Sequence, residues 1–307
     1  VLAPTFGLLV VSRFVSGLPH GAYFGMAAVV ASALVPPARR ARAVASTLVG
    51  LTVANIVGVP LATMLGQQLG WRTTYATVVG VALLTLAAVE LLVPRVAALE
   101  GASPRREVSA LQRPVVWLTL LVGTIGFGGF FAVYSYIAPT LTELGGLSPA
   151  RIPFVLALLG VGMTVGTLLG GRMADWSVLR TLVLGPVLTV ATLLAFTVTA
   201  HGQVTATVTV FALTIVMAVW LPALTTRLLD VSGDGKALAA TLNHSALNMA
   251  NALGAWLGGL VIAAGFGFTA PAVVGAGLAV AGLVVLAASV VVERRSRSLD
   301  VADLLAA

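Results

Sequence analysis

The sequence predicts an all-α membrane protein built from many spanning helices. Hydrophobic residues make up 59% of the chain and charged residues 9%, whereas soluble domains carry about 25% charged residues. So few polar groups cannot cover a surface that faces water. The apolar residues come in long runs with helical spacing, and the short alternating segments typical of a membrane β-barrel are missing. Composition and run length together indicate a polytopic helical bundle.

Nine apolar runs are long enough to cross a bilayer as helix. A helix needs about 20 residues to cross about 30 Å of hydrocarbon, and each run reaches that length. The longest polar interval, 94–113, is rich in proline and arginine and too short to fold alone, so we interpret it as a linker. The predicted spans are 7–35, 44–68, 72–93, 114–142, 152–173, 178–199, 204–229, 236–264 and 268–292.

Basic residues predict the orientation of these spans, since short cytoplasmic loops collect Arg and Lys. Of the 17 basic residues, Arg72 and Arg151 fall on one side of the membrane, Arg13 falls within a span, and the other fourteen fall on the opposite side. The C-terminus is therefore expected in the cytoplasm, and the odd number of spans puts residue 1 outside. The net charge of +7 then follows from membrane orientation, so nucleic acid is not an expected partner.

The composition also argues against several kinds of chemical site. The chain has no cysteine and three histidines, which leaves no thiolate metal site and makes structural zinc implausible. No phosphate-binding P-loop is present, so ATP is not expected to drive the protein, and no cofactor is predicted. An integral membrane enzyme is the weaker alternative. Its best candidate pair, His244 and Ser245, points about 100° apart on a helix and lacks a nucleophile motif.

An internal repeat predicts two related bundles. "VANIVGVPL" at 53–61 aligns with "MANALGAWL" at 249–257, pairing Asn55 with Asn251 and Gly58 with Gly254. The match joins the second and eighth spans, which implies bundles of six spans, with three spans of the first bundle expected before residue 1. The predicted divisions are 1–93 for an incomplete N-terminal bundle of three spans, 94–113 for a cytoplasmic linker, 114–292 for a C-terminal six-helix bundle and 293–307 for a cytoplasmic tail.

Two motifs in the first two spans resemble signatures of a known transporter family. "RFVSGLPHG" places Arg13, Gly17 and Gly21 at four-residue spacing. It resembles the fourth-helix signature of the drug:proton antiporters of the major facilitator superfamily. "GVP", with Gly58 and Pro60 and "LGWR" downstream, resembles the fifth-helix motif of the same antiporters.

A third motif lies between the fifth and sixth predicted spans. "GGRMADWSVLR", with Gly171, Asp175 and Arg180, resembles the second-half copy of the cytoplasmic loop motif of the superfamily. Trp176 stands at a position that is often basic there. The whole pattern is most similar to the arabinose-efflux-permease-like and chloramphenicol-resistance branch, and it covers helices four to twelve of that architecture.

The resemblance implies the fold and a function. The fold would be the major facilitator fold, two pseudo-symmetric six-helix bundles, of which the first is incomplete here. The function would be secondary active transport by alternating access, with a proton gradient driving efflux of a small amphipathic molecule, a drug or a sugar-like compound. The expected setting is the bacterial plasma (inner) membrane, and a monomer is expected. A non-functional fragment of such a transporter is the alternative.

Arg13 is the basic residue that the predicted spans bury. A guanidinium at the middle of the bilayer costs about 2.5–3.5 kcal/mol on insertion scales, so it should face a water-filled cavity or a partner. The resemblance implies that Arg13 lines the central cavity and tunes proton uptake by a carboxylate. Snorkelling to the outer surface is the alternative. His20 lies seven residues on, on the same helical face, and can titrate near neutral pH, although packing alone also explains its position.

Small residues at a period of four mark helix seams and a pivot. Gly50 and Gly58 belong to such a face, which lets two helices approach closely. Pro60 on the same segment predicts a bend there. In the loop motif, Asp175 and Arg180 are interpreted as a latch between the two halves, with an ordinary solvated loop as the alternative.

Two groups of residues are candidates for the substrate cavity. An aromatic stripe in the fourth predicted span has helical spacing, and rings with hydroxyl groups suit an amphipathic substrate, although packing would explain them equally. A polar face in the eighth predicted span must point inward, toward substrate or another helix, because lipid offers no hydrogen-bond partners. The stripe comprises Phe127, Phe131 and Tyr134, with Tyr136 beside it as a further candidate, and the polar face comprises Thr241, His244, Asn248 and Asn251.

Overall fold

The computed structural model confirms the predicted all-α class. In the part of the chain that it describes there is no strand, and eight helices are long and apolar enough to cross a membrane. A shorter apolar helix, α1, precedes them. The structure describes residues 5–17, 23, 26–27, 30–31, 34–36, 50–94, 108–233 and 235–306. The helices are α1 (Phe6–Gly17), α2 (Val59–Leu69), α3 (Trp71–Leu92), α4 (Pro114–Tyr134), α5 (Ile137–Glu143), α6 (Ile152–Trp176), α7 (Val178–Thr199), α8 (Gln203–Val231), α9 (Lys236–Ala263) and α10 (Ala270–Ala306).

The predicted span 114–142 is divided into α4 and α5. Tyr136, with φ −114° and ψ 16°, leaves the helical conformation between them. Pro139 has no N–H to donate to the carbonyl of Ser135, four residues before it, which removes the helical hydrogen bond at this place. Together the two helices still form one span, Pro114–Glu143.

By their internal contacts the residues group into two compact units. One comprises residues 1–102 and 150–157, and the other comprises 103–149 and 158–307. The proposed linker bounds, 94–113, stay a prediction because most of that interval lies outside the described residues. The predicted tail, from 293 onward, continues α10 as helix.

In the larger unit, α4 packs closely against α9 and α10. A Cβ added at Gly254 of α9 would lie 2.7 Å from the backbone nitrogen of Ala132 and 2.9 Å from Cβ of Phe131. On the other side, a Cβ at Gly129 would lie 3.2 Å from the carbonyl carbon of Gly275 in α10. Glycine at these positions lets the helix backbones touch, which is how helices associate in lipid.

The same device joins α6 to α8. Gly162, Gly166 and Gly170 lie four residues apart on α6, and each faces α8 so closely that a Cβ would overlap it. The atoms in the way at Gly166 and Gly170 belong to the backbone of Ile215 and Val219. The period-four pattern on α6 therefore marks a true helix seam.

In the smaller unit, a π-helical turn precedes α2. Ala54–Gly58 is π-helical, and the N–H of Val59 donates to the carbonyl of Ala54, five residues back. Pro60 follows directly and is buried. A widened turn accommodates a residue that cannot donate a helical hydrogen bond. The repeat copy at 249–257, which lacks the proline, is regular α-helix.

Candidate functional site

The cavity residues proposed for the first span lie at the edge of what the structure describes. Arg13 falls in α1, where only its backbone is described, and Gly17 ends the same helix. His20 and Gly21 lie outside the described residues. The role of Arg13 in proton uptake stays a prediction.

Phe127 departs from the expected position on an open cavity wall. It is 5% exposed, and its ring stacks on that of Trp220 in α8, with centroids 3.9 Å apart. The Trp220 indole is wholly buried, and its atoms lie where a Cβ would stand at Gly126 of α4 and at Gly185 of α7. Two glycines thus open a slot for one large ring, and Phe127 closes it as a packing residue.

Phe131 and Tyr134 are half-buried on α4, and both rings lie beside Phe130 of the same helix rather than beside Trp220. Their rings lie 5.2 Å and 4.9 Å from that of the buried Phe130, measured between centroids. These three rings form an aromatic group whose outer members keep part of their surface open. Of the predicted stripe, Phe131 and Tyr134 keep part of their surface exposed, and their contact with a substrate stays a prediction.

Tyr136 uses its hydroxyl to hold α9 against the junction of α4 and α5. The hydroxyl donates to the carbonyl of Ala255 at 2.7 Å, and the ring packs over Gly258 and Gly259. A hydrogen bond of this kind explains the tyrosine without a substrate.

Replacing Tyr136 by phenylalanine is expected to lower the free energy of unfolding by about 0.6–1.5 kcal/mol, the range for one interhelical hydrogen bond. Denaturant titration of the purified protein measures it. Tyr134→Phe is the matched control, with no such bond to lose among the described residues, and is expected to leave stability unchanged. Equal losses in the two variants would contradict a bond specific to Tyr136.

The polar face predicted on α9 lies away from the core of its unit. Asn248 and Asn251 are exposed, and Thr241 and His244 are half-buried. Ala250 between the two asparagines is fully buried. Residues two apart on a helix point about 160° apart, so Asn248 faces almost opposite to the packed side. In a spanning helix such amides need water, a ligand or another helix as partner.

A cleft of about 350 Å³ opens between α4 and α9. From α4, the lining of this cleft includes Thr124 alone. The Thr124 hydroxyl donates to the carbonyl of Ala246 at 3.3 Å. The rest of the lining is apolar. Met249, Ala252, Leu253 and Trp256 of α9 complete it.

Two buried polar residues of the bundle were not among the predicted site residues. Asn243, 5% exposed, donates through Nδ2 to the hydroxyl of Thr225 in α8 at 3.1 Å. Arg227, 8% exposed, donates through Nη2 to the Ser289 hydroxyl at 2.9 Å and to Oε2 of Glu293 at 3.1 Å. The sequence signal for Arg227 was present, since it lies inside an apolar run. Arg227 was interpreted as a cytoplasmic charge that sets orientation, so its pairing with Glu293 was not predicted.

In the loop motif between α6 and α7, Trp176 contacts Arg180 and Ser177 caps α7. Ser177 caps α7, accepting from the N–H of Arg180 at 3.4 Å. The Arg180 guanidinium lies over the ring of Trp176, 4.8 Å from its centroid. Asp175 and Gly171 lie on the last turns of α6, and Asp175 is exposed. A latch formed by Asp175 and Arg180 stays a prediction.

The seam predicted around Gly50 is open in the described part of the smaller unit. There, no atom of a neighbouring helix lies within 4 Å of a Cβ position at Gly50 or Gly58. Asn55 is half-buried within the π-helical turn. The packing role of these residues stays a prediction, as does the pivot at Pro60.

Comparison with known proteins identifies the family. The family model described as Major Facilitator Superfamily matches residues 1–240. The chain belongs to the major facilitator superfamily. It is 36% identical over 311 residues to the inner membrane transport protein YdhP of Escherichia coli O157:H7, covering 98% of this chain and 77% of that protein. It is 33% identical over 270 residues to the chloramphenicol resistance protein of Streptomyces lividans, covering 86% and 68%.

A solved structure supports the major facilitator fold. It is a bacterial homologue of the human lysosomal transporter Spinster, captured in an inward-facing and unoccupied conformation. The TM-score is 0.56 at 18% identity, over 86% of this chain and 72% of that one. Membership of the superfamily makes this chain a membrane transporter rather than an enzyme and confirms the resemblance on which the sequence motifs rested.

Proposed function

We propose that this transporter exports a small amphipathic molecule from the bacterial cytoplasm in exchange for protons. The observation that carries the proposal is the polar face of α9, a spanning helix on which Asn248 and Asn251 are exposed and Asn248 points almost opposite to the packed side. Exposed amides at membrane depth favour a hydrated path, because in lipid they would lack partners. The half-buried rings of Phe131 and Tyr134 supply apolar contact for the same kind of ligand.

Two further arguments support a drug-like substrate and proton coupling. The motif around Arg13 resembles that of drug:proton antiporters, and one relative is a chloramphenicol resistance protein. An arginine within a span needs a cavity or a carboxylate partner, which suits proton coupling. The proposed location is the inner membrane with a cytoplasmic C-terminus, as the distribution of basic residues predicts.

The test is accumulation of radiolabelled chloramphenicol in a bacterial host that lacks its own exporters. Cells that produce the protein are expected to hold less label than empty cells, and a protonophore is expected to abolish the difference. Extrusion that persists in the protonophore would contradict proton coupling. Equal accumulation in both cell types would contradict chloramphenicol as a substrate, and a panel of amphipathic drugs then tests the class.

Asn251→Leu tests the polar face separately. We expect at least a tenfold loss of extrusion with an unchanged amount of protein in the membrane, since a buried polar contact with a ligand is worth about 1.5 kcal/mol or more. Thr192→Val is the control. It also removes a polar group from a spanning helix, but Thr192 is half-buried and its hydroxyl donates to the carbonyl of Leu188 in its own helix. Full activity in Asn251→Leu would remove α9 from the transport path.

A further inference from the structure

A second cleft, of about 250 Å³, lies where α7 begins and where α8 and the spanning part of α10 end. It takes no part in the site on α9. We propose that this cleft binds the phosphate headgroup of an anionic phospholipid, with the acyl chains lying along α7. Its lining is Leu179, Arg227, Val290, Glu293 and Arg294.

The charge of the lining favours an anion. Arg227 and Arg294 contribute two guanidinium groups and Glu293 contributes one carboxylate. That carboxylate is already engaged, because its Oε2 accepts from Nη2 of Arg227 at 3.1 Å. Arg294 is exposed, and no acidic group of the described residues pairs with it. One positive charge of the cleft is therefore left without a counter-ion.

Arg227 also has a donor to spare. It is 8% exposed, and its Nε has no hydrogen-bond partner among the described residues. Buried donors of this kind are rarely left unpaired. Phosphate oxygens match the planar donor geometry of a guanidinium, which makes arginine a frequent phosphate ligand. A phosphate in the cleft, which Arg227 lines, would offset the excess charge and place acceptor oxygens close to the side chain that carries the spare donor.

The apolar side of the cleft points to a lipid as the source of the phosphate. Leu179 begins an exposed strip on one face of α7 that continues through Val183 and Val187, which are 42% and 46% exposed. A free phosphate would make no contact with this apolar surface, whereas the acyl chains of a lipid would cover it. Basic pockets between spanning helices near the cytoplasmic surface are known to recognise anionic headgroups.

Trp176 and Arg180 mark the level of the headgroups. Trp176 is 66% exposed at the end of α6, and the Arg180 guanidinium lies 4.8 Å from its ring centroid. Tryptophan and arginine collect at the boundary between hydrocarbon and water. The mouth of the cleft, one residue from Arg180 in the chain, therefore lies where phospholipid phosphates lie.

The test is native mass spectrometry of the full chain in neutral detergent, titrated with phosphatidylglycerol or phosphatidylcholine of the same acyl chains. We expect phosphatidylglycerol to bind at least tenfold more tightly at one site. Arg294→Gln is expected to weaken that binding about fivefold, the share of one basic residue near an anionic lipid. Arg172→Gln, which removes an exposed arginine that does not line the cleft, is the control and should bind as the unaltered protein does.

Three results would overturn the proposal. Equal affinity for the two lipids, or unchanged binding in Arg294→Gln, would show that the cleft does not recognise an anionic headgroup. Displacement of bound phosphatidylglycerol by millimolar inorganic phosphate would show a site for the free anion. Arg227→Lys keeps the charge but loses the planar guanidinium donors. It is also expected to bind phosphatidylglycerol more weakly than the unaltered protein does. Because Arg294 holds no ion pair in the described structure, its variant tests the site even where Arg227→Lys fails to fold.

Discussion

Gly170→Ala is expected to destabilise the protein by about 3 kcal/mol, the upper end of the cost of overpacking. A Cβ at Gly170 would lie 2.7 Å from the carbonyl carbon of Val219 and 2.8 Å from its Cα. These are backbone atoms of α8, which cannot rotate aside as the end of a side chain can. The new methyl group therefore forces α6 and α8 apart along the whole seam. The midpoint of thermal unfolding of the purified protein measures the effect.

Gly171→Ala is the matched control, because it adds the same methyl group one residue further along α6. Among the described residues, no atom of a neighbouring helix lies within 4 Å of that Cβ position. Its stability should change by less than about 0.5 kcal/mol, or rise slightly through the better helix propensity of alanine. Equal midpoints for the two variants would contradict the close seam between α6 and α8. Transport lost in Gly171→Ala at unchanged stability would instead support a role for the loop motif.

The spans were predictable because their signal is local. The predicted 72–93 compares with α3 at Trp71–Leu92, and the predicted 178–199 with α7 at Val178–Thr199. Apolar length and the polar residues that end each run are enough to place a helix in a membrane. The break at Tyr136 and the π-helical turn at Ala54–Gly58 are different, since they depend on how a helix redistributes hydrogen bonds beside a proline.

The candidate site was predicted only as far as spacing along one helix allows. Phe127 and Phe131 have the spacing of a single stripe, yet Phe127 is closed off by Trp220, which lies 93 residues later in the chain. Spacing orders residues around a helix, but the neighbouring helices decide which side is covered. The polar face of α9 could be proposed from the sequence because four polar residues in one apolar span form a strong local pattern, and its role in transport stays a prediction.

Long-range pairs leave even less trace in the sequence. Arg227 lies near the end of one apolar run and Glu293 directly follows another, and charges at the ends of spans ordinarily orient them toward the cytoplasm. Only the packing of α8 and α10 in one unit shows that the two residues meet. A residue counted for topology thus also forms a buried contact, and this contact has a measurable consequence for stability.

Glu293→Leu is expected to destabilise the protein by about 3 kcal/mol, because it leaves the buried Arg227 guanidinium without its carboxylate partner. Loss of one partner of a buried ion pair costs about 3–5 kcal/mol. The lower end applies here, since 22% of the Glu293 side chain is exposed and the cleft admits water. Denaturant titration in a neutral detergent measures the cost without anionic lipid as a substitute partner. Glu143→Gln, at an exposed carboxylate, is the control and should change stability by less than about 0.5 kcal/mol.

Removing both charges separates the attraction within the pair from the penalty of burying it. In Arg227→Met with Glu293→Leu, no unpaired ion remains, and apolar side chains replace two groups that must leave water. The double variant is therefore expected to be more stable than Glu293→Leu alone, although it has lost the same ion pair. If the loss of stability in the double variant equals the sum of the losses in Arg227→Met and Glu293→Leu, the two residues do not act as a pair. If Glu293→Leu alone has no cost, water or detergent satisfies Arg227, and the contact behaves as an exposed salt bridge.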